Sequence, residues 1–372
     1  MTVADPITLF LCGDVMTGRG IDQVLPHPGD PRIYEPHLTS AVGYVELAEA
    51  AHGPLSRPVA FSYVWGDALG ELARVRPDVR IVNLETAVTV SGEPWPGKSP
   101  TYRMHPANVP CLQTAGIDCC VLANNHALDW GRSGLAETLA VLHGAGLRTA
   151  GAGRDGEEAA APALVEVPGK GRVVVFAFGS ESAGIPRDWQ ATPERPGVNL
   201  VPDEPAEAIR DIARHIRALQ RDRTVVVASI HWGDNWRYHV PDWQRSLAHG
   251  LIDEAGVDVV HGHSSHHPKA LEVYRDRPIL YGCGDFLNDY EGIGGYEEYR
   301  SDLGLMYFPT LDAATGALVR LEMTPMRVRR FRVGLAAPDE ARWLAVLLSR
   351  EGKRFGTSAK INGDGRLRLV WG

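Results

Sequence analysis

Short apolar runs recur along the chain, and each one stops abruptly at a polar residue. Ile7–Cys12 gives way to Gly13-Asp14, Val79–Val82 to Asn83-Leu84-Glu85, and Cys119–Ala123 to Asn124-Asn125-His126. Further on, Val173–Phe178 runs into Gly179-Ser180-Glu181, Thr224–Ile230 into His231, and Val257–Val260 into His261-Gly262-His263. Runs this short and this rich in Val and Ile predict strands buried on both faces. Between them the period lengthens. Leu135, Leu139 and Leu142 predict a helix over Gly131–Ala145, and Ile209, Ile212, Ile216 and Leu219 predict one over Pro205–Gln220. Gln244–Ala255 repeats the stripe. Strands alternating with helices predict an α/β fold.

The last third changes character. Leu303–Leu311 and Ala317–Met326 predict a β-hairpin turned through Asp312–Gly316, followed by a helix at Pro338–Arg350 and a strand at Arg366–Trp371. Segments 26–60 and 181–203 are rich in Pro, Gly and charge and read as long loops over a site. The expected organisation is one domain over residues 1–325, with 326–372 as an extension packed on it.

With 372 residues, 44% apolar and 23% charged, the chain has the composition of an ordinary globular protein. A net charge of −8 argues against nucleic acid as a partner, because phosphate-backbone affinity needs clustered Lys and Arg. A local cationic pocket for an anionic substrate remains compatible with it. The five cysteines form no CxxC pattern and suit a reduced, cytoplasmic chain in which thiols pack as small hydrophobes. Met1–Pro6 carries no basic leader, and no apolar run reaches membrane-spanning length, so no membrane partner is expected. The oligomeric state is not legible.

The strand exits carry the chemistry. They deliver Asp14, Glu85, Asn125, His126, His231, His261, His263 and His266. Taken singly, each has an ordinary reading as a turn residue, a surface carboxylate or a hydrogen-bonded imidazole. Four histidines (261, 263, 266 and 267) within seven residues do not, since idle imidazoles would only crowd one another. Carboxylate, amide and imidazole together suit one or two ions of Mn, Fe or Zn. Two such ions about 3.5–4 Å apart clamp an in-line attack on phosphorus.

These blocks resemble the calcineurin-like metallophosphoesterases in their CapA-like, poly-γ-glutamate capsule-biosynthesis branch. The matching segments are Gly13–Arg19, Asn83–Thr86, Ala123–Gly131, His231–Asp234, Gly262–His266 and Tyr281–Phe286. The resemblance implies a two-sheet β-sandwich flanked by helices, with the C-terminal hairpin and helix as an extension. It implies Asp14 on a first metal, Glu85 bridging, Asn125, His231 and His263 on a second, and His266 on the first, with His261 as a rival. His126 would be the general acid, oriented by Asp129. Arg19, Lys98 and Arg103 would hold substrate anions. Apart from the resemblance, Trp232 and Trp236, close after His231, are the candidates for lining the pocket. Met16 stands where the parent pattern has a histidine, and Ser265 where it has its last one. The implied activity is metal-dependent hydrolysis of a small anionic or peptide-like substrate, a phosphoester first of all, by metal-activated hydroxide. Amide synthesis or hydrolysis of a polyglutamate-like polymer, or a non-catalytic scaffold, are the alternatives.

Overall fold

The computed structural model describes residues 6–201, 205–219 and 223–372. Residues 1–5 and the helix end expected at Gln220 lie outside the described residues.

The apolar runs form two stacked sheets. One has ten strands, in the order Thr357–Ile361, Leu367–Trp371, Leu318–Arg329, Leu303–Leu311, Ile7–Val15, Val79–Leu84, Cys119–Val121 and Arg148–Ala150. Asp285–Leu287 and Arg332–Leu335 add on at its flank. The other has six, in the order Leu271–Tyr274, Arg277–Leu280, Val259–His263, Thr224–His231, Gly171–Gly179 and Ala163–Val167.

Alternation along each strand divides the core into three layers. Ile7, Leu9 and Leu11 of the large sheet face Val173, Val175, Val225 and Val227 of the small one, forming the seam between them. Phe10 and Cys12 point the other way, toward helices Val42–His52, Ala68–Val75 and Gly131–Gly144. Val174, Phe176, Val226 and Ala228 back the small sheet against helices Pro205–Leu219 and Asp242–Asp253. Helix–sheet–sheet–helix layering is the architecture the resemblance implied, and two-faced burial explains why these runs are apolar throughout. All five cysteines are buried as free thiols.

The expected hairpin is present, with Leu303–Leu311 antiparallel to Leu318–Arg329. The latter strand runs through position 325, and Thr357–Ile361 and Leu367–Trp371 extend the same sheet beyond it. Segment 26–60, expected as loop, contains the helix Val42–His52, which buries Tyr44, Val45 and Ala48. No helix among the described residues is long and apolar enough to cross a membrane.

Candidate metal centre

Parallel pairing places the strand exits side by side. His231 lies in register with His263, and Asp14 with both Asn83 and Asp285. The Asp14–Asp285 approach depends on Gly13, where a Cβ would sit 1.5 Å from the Gly284 carbonyl oxygen. Without a side chain at position 13, Asp14 N–H donates to that carbonyl at 3.0 Å. Beyond His263 the backbone turns through Ser264 at φ 99°, a strained value for a residue with a Cβ. Its N–H points at Asp14 Oδ2, 3.3 Å away.

Two donor sets result, and they share one residue. Asp14, His231 and His263 offer ligand atoms all within 4.8 Å of one another, as do Asp14, His266 and Asp285. Asn125 Oδ1 lies 3.1 Å from His231 Nε2, at the rim of the first set. Glu85 sits beside Asp14 without belonging to either set, and Asn83 Nδ2 donates to Asp14 at 2.7 Å and to Glu85 at 3.3 Å. The residue common to both sets is therefore Asp14, where the resemblance put Glu85. Asp285 carried no assigned role in the sequence. It completes the second donor set, and its signal was a Gly-Asp pair following the strand Arg277–Leu280.

Asp14, Glu85 and Asp285 are all at most 2% exposed. Arg19 and Lys98, cations in this neighbourhood, are committed to Asp289 and Asp129. Burial, then the charge of Asp285, pushes Asp14 up to about 7. Glu85 is raised by burial and by Asp14. His231 and His263 are held neutral by burial and by neighbouring imidazoles, their Nδ1 atoms facing each other at 2.9 Å. Burial opposes protonation of His266, but the Asp285 carboxylate 2.9 Å away wins and raises it. Crowded buried carboxylates are costly unless a proton or a cation sits among them. The mixed O and N donors fit Mn, Fe or Zn.

His126 stands at the edge of this cluster. Its Nδ1 lies 2.6 Å from Asp129 Oδ2, leaving Nε2 to face Glu85 Oε1 at 3.7 Å. Asp129 also accepts from Tyr102 N–H at 2.6 Å and pairs with Lys98 Nζ at 3.2 Å. The Tyr102 ring meets the imidazole edge-on at 4.1 Å. Burial draws His126 down to about 4 against the pull of Asp129, so the resting imidazole is neutral. An anionic group arriving near Nε2 adds the charge that favours a second proton.

Other expected site residues lie elsewhere. His261 is tied into the inter-sheet seam, with Nε2 2.7 Å from the Cys12 carbonyl oxygen and Nδ1 3.0 Å from Ser229 Oγ. Arg19 is taken up by Asp289, Glu35 and the Tyr44 hydroxyl, and lies over the Tyr44 and Tyr102 rings. Arg103 clamps loops through the carbonyls of Ser91 and Asp30 and lies over Trp130. Arg19 thus donates four hydrogen bonds to protein groups and Arg103 two. Trp232 is 2% exposed and donates to the Tyr281 carbonyl behind the small sheet, because it leaves its strand on the helix-covered face. Lys98 does border the site, through Asp129. Trp236 packs on His266 at 5.0 Å between ring centres.

Residues 8–290 match the family model described as bacterial capsule synthesis protein PGA_cap. The chain belongs to this family. A probable polyglutamine synthesis accessory protein of Mycobacterium tuberculosis is 46% identical over 98% of this chain and 96% of its own. The PGA biosynthesis protein CapA of Bacillus subtilis is 26% identical, covering 87% of this chain and 72% of its own. A solved structure of a novel phosphatase of Mycoplasma pneumoniae superposes with a TM-score of 0.47 at 12% identity, over 88% and 96% of the two chains. That likeness is too loose to bear on chemistry. The family match ends at 290, yet Asp285 and every residue of the two donor sets fall inside it.

Proposed function

We propose that this chain is a metal-dependent hydrolase whose substrate is a phosphoester. The observation that carries the reading is the pair of donor sets meeting at Asp14. Asp14, His266 and Asp285 would hold one divalent ion, and Asp14, His231 and His263, with Asn125 and Glu85 alongside, the other. When bound, such ions polarise the scissile bond and lower the pKa of water toward neutrality. The chain's own residues do the rest. Asp129 fixes the His126 ring through Nδ1, which leaves Nε2 aimed at the centre to give a proton to the leaving oxygen. Lys98 neutralises Asp129 from the far side, keeping its charge from drawing the proton back. Tyr102 packs against the ring at 82° between planes, which restricts its rotation.

The printed names of the relatives favour a second reading, in which the same centre acts on the amide bonds of a polyglutamate-like chain. Product analysis separates the two. On the first reading the protein binds two equivalents of Mn, Fe or Zn and hydrolyses an aryl phosphodiester. His126→Ala keeps the metal and loses turnover by about 10²–10⁴-fold, the usual worth of general acid catalysis. Metal without phosphoester turnover, but with release of glutamate from oligo-γ-glutamate, would favour the second.

A further inference from the structure

A cavity of about 610 Å³ opens beside His266 and extends from Pro100 and Asn235 to Val328. It differs in kind from the polar centre next to it. One wall is aromatic, with the Trp236 indole stacked on Tyr296 at 4.0 Å and 4° from parallel. Trp236 also touches His266, so the wall is continuous with a donor of the centre. Ile293 and Tyr296 each stand 48% exposed along it. Large apolar surface left open at the mouth of a polar site is the composition of a ligand cavity.

Its charges are arranged against an acidic occupant. Three carboxylates, Glu291, Glu297 and Asp302, line it together with the guanidiniums of Arg300 and Arg327 and the imidazoles of His52 and His266, His52 lying 3.3 Å from Glu291 and His266 2.9 Å from Asp285. Arg300 Nε lies 2.8 Å from Asp302, and its Nη2 lies 3.2 Å from Glu340. Arg327 Nη1 pairs with the same Glu340 at 2.8 Å. Both cations are already neutralised. A run of carboxylates entering here would find the basic side chains already paired and gain no new partner.

We propose that this cavity holds the part of the substrate remote from the scissile bond, and that this part is an uncharged aromatic or apolar group. The substrate class is then an ester of an aryl or bulky alkyl alcohol, not an acidic chain. The proposal rests on the reading of the Asp14 cluster as the reacting centre, and deepens it. The Trp236–Tyr296 wall and Ile293 cover the group, while the donor sets receive the anionic head.

The test is calorimetric titration of the full chain in Mn²⁺ with methylphosphonate, 1-naphthylphosphonate and tri-γ-glutamate. Naphthylphosphonate is expected to bind at least about tenfold more tightly than methylphosphonate, the scale of a well-filled apolar pocket. Ile293→Asp and Tyr296→Ala should each lower that ratio by about tenfold, a selectivity that a general loss of folding does not mimic. Equal affinities for the two phosphonates overturn the proposal. So does a ratio unmoved by both substitutions, or tighter binding of tri-γ-glutamate than of the naphthyl probe. Should metal and methylphosphonate both fail to bind while naphthylphosphonate still binds and still responds to Ile293→Asp, the cavity assignment stands. The hydrolytic reading is then the one that falls.

Discussion

The two donor sets meet at Asp14 but are built by different means. His231 and His263 end adjacent parallel strands, in register, and their backbone is locked into the small sheet. Burial keeps both imidazoles neutral. His266 comes from the loop past the strained Ser264, and Asp285 from the first residue of the short strand Asp285–Leu287, which meets Asp14 past the Gly13–Gly284 contact. Their side is the charged one, with a raised His266 on a carboxylate. Two adjacent in-register strands position the first pair, whereas a loop and a short strand admitted by close backbone approach position the second. The first should tolerate changes in the loops; the second should not.

The largest effect that would test this comparison comes from removing what the two sets share. Asp14→Asn should abolish binding at both and lower turnover by at least about 10³-fold, as loss of both Lewis acids would. Metal content by elemental mass spectrometry and steady-state hydrolysis check it.

A smaller effect follows from pH. Asp14 sits at about 7 in the metal-free protein, raised by burial and by Asp285, against an ordinary value of 3.8. The native state therefore holds a proton that the unfolded chain has already released between those values. Metal-free stability should fall as pH rises through that window, and the loss should stop above about 7. Metal must displace the same proton. Its affinity should climb up to about tenfold per pH unit below 7 and level off above, measurable by titration calorimetry across pH.

The smallest effect separates two neighbours on one strand. His261→Ala should cost about 1–3 kcal/mol of stability, the scale of lost buried hydrogen bonds, with metal content unchanged. Thermal unfolding beside metal analysis would show it.

How much of this was legible follows the same division. The strands announced themselves because burial on both faces makes them continuous apolar runs, and their exits announced Asp14, His126, His231 and His263. Helices Val42–His52 and Ala68–Val75 did not, being short and set among Gly and Pro. His261 and His263 are two apart on one strand and so share a face, with ring centres 5.2 Å apart. What separates them is the Cys12 carbonyl and the Ser229 hydroxyl, brought near by sheet stacking and invisible to spacing. Asp285 was missed because its role depends on how closely Gly284 approaches Gly13, a contact 271 positions apart in the chain. Trp232 and Trp236 are four apart, and only the turn between them sends one behind the sheet and the other to the cavity.

The central claim is that the two sets at Asp14 each hold a metal ion. Its most direct test is the metal stoichiometry of the wild-type chain beside Asp285→Asn and His263→Ala, after reconstitution with Mn²⁺ and desalting. The account predicts two equivalents in the wild type and one in each variant. A wild type that retains none, or variants that both retain its full complement, would contradict it.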